Sequence, residues 1–164
     1  MKNLFAPWRM EYIKGKKPKG CIFCKDSIRD DEFVLYEGGC SFIMMNKYPY
    51  INGHLLIAPF RHVSNLENLT SDEKQEIFDL LDISVRTLKE AIRPEGFNIG
   101  INQGKVAGAG VDDHIHVHVV PRWSGDTNFM TVLGEVRVIP EDVGKTRDVL
   151  LPYFCNLKQC TNEK

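Results

Sequence analysis

The stretch DDHIHVHVVPRW, residues 112–123, places His114, His116 and His118 at strict alternation, with Ile115, Val117 and Val119 in the intervening register. Side chains alternate across a β-strand with period two. The pattern therefore predicts a strand with three imidazoles on one face and three aliphatic residues on the other. The aliphatic face can pack into a core, which leaves the imidazole face for chemistry. The whole chain holds only five histidines. Three on one face repel one another when charged, an odd choice for a passive surface.

Two chemistries suit such a face. Neutral imidazole is a frequent zinc ligand. Imidazole is also a nucleophile that can attack phosphorus and form a covalent intermediate, with flanking imidazolium and backbone donors holding the phosphate oxygens. The two coexist if different histidines do different work. The preceding loop, NQGKVAGAGVDD, carries Gly104, Gly108 and Gly110. Glycine lets backbone amides approach an anion closely, so beside the histidines this loop points to phosphate.

The rest of the chain supplies a sheet and a helix for that strand to join. EFVLYEG and CSFIMMNKYP read as two strands joined by a hairpin at Gly38-Gly39. GHLLIAPF, residues 53–60, reads as a third strand. Thr70 or Ser71 can cap a long helix whose apolar stripe is Ile77, Leu80, Leu81, Val85 and Leu88, closed by Pro94 and Gly96. GFNIGINQG reads as a fourth strand, and the histidine segment as a fifth, stopped by Pro121. TVLGEVRVIP suggests a further strand and EDVGKTRDVLLPYF a final helix. The order β-β-β-α-β-β with hairpin connections predicts an α+β domain: a five-stranded antiparallel sheet with a long helix on one face, plus a C-terminal helix. A length of 164 residues fits one such domain, organised as an N-terminal extension and linker at 1–20, a core at 21–139 and a C-terminal helical extension at 140–164.

Composition narrows the partners. The net charge of −1 makes no global field for nucleic acid or an anionic membrane. KGKKPKG, residues 14–20, is a local cluster, read either as a solvated linker or as an arm that attracts polyanions. No apolar run reaches the length of a membrane span, and MKNLFAPWRMEYIKG lacks the features of a signal peptide, so a cytoplasmic chain is expected. Five cysteines, two of them in CIFC, then favour metal or redox chemistry over a disulfide framework. Cys21 and Cys24 are half of a tetrahedral site. A site completed by His62 and His114 would tie this knuckle to the sheet; a buried pair of structural cysteines is the competing reading.

CIFC, MNKYPYINGHLLIAPFRH, NIGINQG and HIHVHVVPR, in this order and at about this spacing, resemble the histidine triad (HIT) family of nucleotide hydrolases and transferases. APWRMEYI and RWSGDTNFM are similar to its bacterial diadenosine tetraphosphate phosphorylase-like branch. The resemblance implies a homodimer whose two sheets join. It implies that His116 is the nucleophile on the α-phosphate of a purine nucleotide or dinucleoside polyphosphate. His118 would contact the same phosphate and the leaving oxygen, and His54 would sit behind the nucleophile and orient it. Asn46 lies where the family binds ribose, and Asn102 where it binds phosphate. Cys21, Cys24, His62 and His114 match the ligands of its zinc-containing members, so structural zinc is expected. Many members carry Gly-Gln-Ser/Thr-Val before the triad; GAGVDD here lacks those side chains, and backbone amides from Gly108 through Gly110 to Val111 are the expected substitute.

The acceptor, water or phosphate, is left open at this level. Arg122 and GDTNFM, residues 125–130, are candidates for shaping its pocket. Three other readings stand beside the dinucleoside polyphosphate enzyme: a nucleoside phosphoramidate hydrolase, a nucleotide-binding regulatory protein with weak catalysis, and a pure metal-binding module.

Overall fold

The computed structural model describes residues 20–126 and 141–161. The aromatic N-terminal segment, most of the lysine cluster, the strand expected at 131–140 and residues 127–130 lie outside the described residues. The elements are α1 (Lys25–Ile28), β1 (Val34–Glu37), β2 (Ser41–Met45), β3 (Leu55–Pro59), α2 (Ser71–Ile92), β4 (Gly96–Ile101), β5 (Val117–Arg122) and α3 (Val143–Thr161). The five strands form one antiparallel sheet in the order β1-β2-β3-β5-β4, so the chain crosses by way of α2 and returns to insert β5 beside β3. The expected α+β architecture is the observed one.

The sheet has two covered faces. On one, Ile43, Met45, Leu55, Ile57, Val117 and Val119 meet Ile77, Leu80 and Leu88 of α2 and the fully buried Leu150 and Phe154 of α3. The C-terminal helix thus shares the main core. On the other face, Phe42, Met44, Leu56 and Ala58 are covered by Phe23 and Ile28 from the N-terminal knuckle. Every residue of β2 and β3 is therefore buried, which is why both strands read as apolar runs with little alternation.

Two anchors fix α2 relative to the sheet. Thr70 caps it in a reciprocal box with Glu73, and Arg61, two residues past β3, grips the same carboxylate at 2.6 and 2.9 Å. At the next turn Glu76 accepts from the amides of Gly39 and Cys40 at the tip of the β1–β2 hairpin. Gly53 has φ +74°, and a Cβ there would stand 2.6 Å from Ile92 at the end of α2. That glycine lets the β2–β3 loop close against the helix and delivers His54, the next residue, into the buried layer.

Two boundaries of the histidine strand differ from expectation. The ladder begins at Val117, so His114 and His116 stand in an extended approach held by the bond from Ile115 N–H to Val63 O, 2.7 Å. The strand also runs through Pro121 to Arg122 rather than stopping at the proline. β3 pairs only with Val117–Val119, so Pro121 lies where one side of β5 has no ladder to interrupt.

Candidate active site and adjoining metal cluster

The alternation of residues 114–119 holds: Ile115, Val117 and Val119 enter the core beneath α2, and the imidazoles turn to the knuckle side. That side is not open. His114 is fully buried and His116 is 5% exposed, with the Phe23 ring 4.8 Å from the ring of His116.

Backbone groups of fixed polarity assign the ring protons. His116 Nδ1 lies 2.9 Å from the carbonyl of His114, which can only accept. Nδ1 therefore carries the hydrogen, and Nε2 of His116 presents a lone pair. His54 Nδ1 receives the amide N–H of Tyr50 at 3.0 Å, so its hydrogen is on Nε2. Asn46 agrees with this: its Oδ1 takes the Tyr48 amide at 2.9 Å, which turns its NH₂ toward His54 Nδ1, 3.3 Å away. His54 Nε2–H then donates to His118 Nδ1 at 2.9 Å. His118 is left with its hydrogen on Nε2. One imidazole thus offers a lone pair and its neighbour, ring centroid 4.9 Å away, offers an N–H.

Burial lowers the pKa of His114 and of His116 below the ordinary value of 6.5. Burial, followed by the nearby charge of His116, brings His118 down to about 4. Flanking imidazolium was the expectation; burial disfavours the charged form at each of these three rings, and hydrogen bonds aim the N–H groups of His116 and His118. This has a consequence for stability. Between the ordinary value of 6.5 and about 4, an unfolded chain takes a proton on His118 and the folded chain does not. Stability therefore falls as pH drops through that window. The urea midpoint is expected to be lower at pH 5 than at pH 7, and His118→Asn should remove part of that slope. A midpoint that rose on acidification would contradict the buried neutral ring.

His54 was expected behind the nucleophile. Its Nε2 meets His118 instead, so what it orients directly is His118. The reason is the loop: closure of Asn46 N–H on the His54 carbonyl, 2.9 Å, places the His54 side chain beside β5 at the level of His118.

Cys21, Cys24, His62 and His114 come together as the expected set, their ligand atoms all within 4.8 Å of one another. Cys21 Sγ is 3.2 Å from His114 Nδ1, and Cys24 Sγ is 3.4 Å from His62 Nδ1. Tetrahedral zinc, with bonds of about 2.0–2.3 Å, needs ligand atoms roughly 3.3–3.8 Å apart. Outer contacts suit the same purpose. His114 Nε2–H donates to the Pro59 carbonyl at 2.8 Å, which leaves Nδ1 free to ligate, and Asp113 stands 3.9 Å from His62 Nε2. The amide of Phe23 points at Cys21 Sγ, 3.4 Å. Without a cation, burial pushes the Cys21 thiol up to about 11. The donor set and its spacing fit a borderline-soft divalent ion, and Cys24 and His62 are too accessible for a merely buried cysteine pair.

The glycine loop is less tightly joined to the histidines. Asn102, half-buried just past β4, has its side-chain amide nitrogen against Gly108: a Cβ there would be 3.9 Å from it. Gly108 has φ +89° and ends the short turn Lys105–Ala107. Val111 packs on the knuckle side of the sheet, in the cluster of Phe23 and Phe42, whereas Gly110 stands in open loop. Arg122 is at the far end of β5. Asp126 grips its guanidinium at 2.6 and 2.7 Å, and Asn98 adds a third bond. It stands six positions along the chain from His116, roughly 20 Å, so it orders the turn to Asp126 after the strand and does not reach the His116 ring.

Sequence reasoning missed Tyr50 and Phe23. Tyr50 packs on His54 and His118, with ring centroids 4.7 and 5.6 Å away. Phe23, between the two knuckle cysteines, packs on His114 and His116. Its place as a large apolar residue between two cysteines was the available signal; Tyr50 had none beyond proximity to His54.

Residues 28–125 match the HIT domain. The AP-4-A phosphorylase of Mycobacterium tuberculosis is 37% identical over 161 residues, covering 92% of this chain and 83% of its own. The bis(5'-adenosyl)-triphosphatase of Saccharomyces cerevisiae is 36% identical over 93 residues, 56% of this chain and 45% of its own. Among solved structures, a zinc-bound histidine triad family protein from Mycobacterium smegmatis superposes with a TM-score of 0.68 at 27% identity, covering 85% of this chain and 96% of its own. A hypothetical histidine triad nucleotide-binding protein from Sulfolobus tokodaii gives 0.67 at 27% identity, covering 84% and 94%.

Proposed function

The chain belongs to the HIT domain family, and on that premise we propose that it is a nucleotidyl transferase acting on dinucleoside polyphosphates through a covalent nucleotidyl-histidine. The observation that carries this reading is the bond from His116 Nδ1–H to the His114 carbonyl. It leaves Nε2 as a nucleophile. It also supports the positive charge that the ring acquires once Nε2 is bonded to phosphorus.

In the first step the Nε2–P bond forms on the α-phosphorus and the bond to the bridging oxygen breaks, releasing the remaining nucleotide. His118 donates Nε2–H to an oxygen of the same phosphate. In the second step an acceptor oxygen attacks phosphorus, the N–P bond breaks, and His116 regains its lone pair. Water as acceptor makes the enzyme a hydrolase and inorganic phosphate makes it a phosphorylase. The similarity to the M. tuberculosis AP-4-A phosphorylase across most of both chains favours phosphate. Asn46 and the loop of Asn102, Gly108, Gly110 and Val111 are assigned to the ribose and phosphates. Zinc at Cys21, Cys24, His62 and His114 supplies a crosslink when bound and takes no part in the displacement.

Diadenosine tetraphosphate incubated with phosphate should yield equal ADP and ATP, and nothing without it. AMP plus ATP in phosphate-free buffer would make the enzyme a hydrolase. Turnover confined to an adenosine phosphoramidate would overturn the substrate class.

The working form is assigned as a homodimer. Among the described residues β4 is an edge strand, and Ile99 and Ile101 on it are exposed, as is Phe78 on α2. They line an apolar groove of about 280 Å³ with Leu66, Ile77 and Leu81. An apolar edge strand of this kind pairs readily with a second copy.

A further inference from the structure

The nucleotidyl-transfer reading requires His118 to point Nε2–H steadily at the substrate phosphate. A single hydrogen bond, from His54 to Nδ1, sets the tautomer of that ring but is only a pivot. Something else must fix its plane. The Tyr50 ring lies nearly parallel to the His118 ring, at 19° and 5.6 Å between centroids, and tilts against the His54 ring at 42° and 4.7 Å. The same residue's amide fixes the His54 proton, 3.0 Å away. One loop position therefore touches both links of the chain that ends at His118. The residue is 40% exposed, whereas His54 behind it is fully buried and His118 is half-buried. An amphipathic ring suits that place, with its face on the imidazoles.

Building on that reading, we propose that Tyr50 is a positioning residue: its ring, stacked on His118, holds the imidazole in the plane that presents Nε2–H to the phosphate being transferred. The contribution is the aromatic face, not the hydroxyl. It acts through His118 and not by binding substrate. Small misplacements of a group at the reacting centre cost up to about 10²-fold in rate, so a stack of this kind has room to matter.

The test compares Tyr50→Ala, Tyr50→Leu and Tyr50→Phe. All three keep the backbone amide that His54 needs. Steady-state turnover of diadenosine tetraphosphate is measured with phosphate present, and the His118 ring protons are followed by NMR in the free protein. Alanine and leucine should lower kcat by about 10- to 100-fold with little change in KM, and phenylalanine should restore it. In the alanine and leucine variants the His118 ring protons should lose the shift imposed by the stacked phenol, and in the phenylalanine variant they should keep it. Wild-type kcat in Tyr50→Ala and Tyr50→Leu would overturn the proposal. So would a rise in KM alone, which would make Tyr50 a substrate contact, or a phenylalanine variant as slow as alanine, which would give the role to the hydroxyl. If the wild-type protein turned over no dinucleoside polyphosphate, the functional reading would be what fails. The NMR comparison would still decide whether Tyr50 orders His118, and unchanged His118 resonances in Tyr50→Ala would show that it does not.

Discussion

His116→Ala should reduce turnover of a dinucleoside polyphosphate by about 10⁴-fold or more, the scale seen when a covalent nucleophile is removed. Among the described residues the other two histidines of the strand are not placed to take over. His118 has its lone pair on Nδ1 tied to His54, and His114 has Nε2 committed to the Pro59 carbonyl and Nδ1 beside Cys21. The variant should still fold, because the His116 side chain contributes no bond to the sheet ladder and the aliphatic face at Ile115 and Val117 is untouched. It should also still bind nucleotide. A quenched reaction resolved by mass spectrometry provides the complementary readout: wild-type protein carries a nucleotidyl group on residue 116, and the variant carries none. An alanine variant with undiminished turnover would remove the basis for the covalent route.

The second large effect is expected from loss of the metal. Purified protein should hold one zinc per chain, and Cys24→Ser or a strong chelator should remove it. A ligand bound at a thousand times its dissociation constant stabilises by about 4 kcal/mol. For a domain of this size that corresponds to a fall in Tm of about 10 °C. Turnover should fall as well, although nothing in the cluster touches the reacting atoms. The reason is His114, whose ring enters the cluster while its carbonyl holds His116 Nδ1. Retention of zinc by the serine variant, or a Tm unmoved on complete removal, would show that the four side chains do not form the site.

Much of the fold is legible in the sequence because its signals are local. The histidine alternation has the strand period, Thr70 with Glu73 is a capping box, and Gly38-Gly39 marks a hairpin. The metal set is legible for a different reason: thiol and imidazole side chains are few enough in this chain that chemistry alone restricts the combinations. What escapes depends on the paths of loops. The helix Lys25–Ile28 is too short to show a period. The strand passes Pro121 because its neighbour β3 has already parted from it, a fact of register that no dipeptide reveals. Likewise, His54 reaches His118 rather than His116, and Tyr50 reaches both His54 and His118, through the closure of the loop between Asn46 and His54. A short sequence separation says only that such contacts are within range.

The relay from the Tyr50 amide through His54 to His118 has a direction built into it. Every link is a donor facing an acceptor, so reversing one reverses all those after it, and the nitrogen of His118 that carries the outermost hydrogen is set two rings away, by a peptide group and the Asn46 amide together. A peptide N–H is beyond the reach of ordinary side-chain substitution. Among the twenty residues only proline at position 50 deletes it, and the Asn46 amide, 3.3 Å from the same nitrogen, would then hold the His54 tautomer alone.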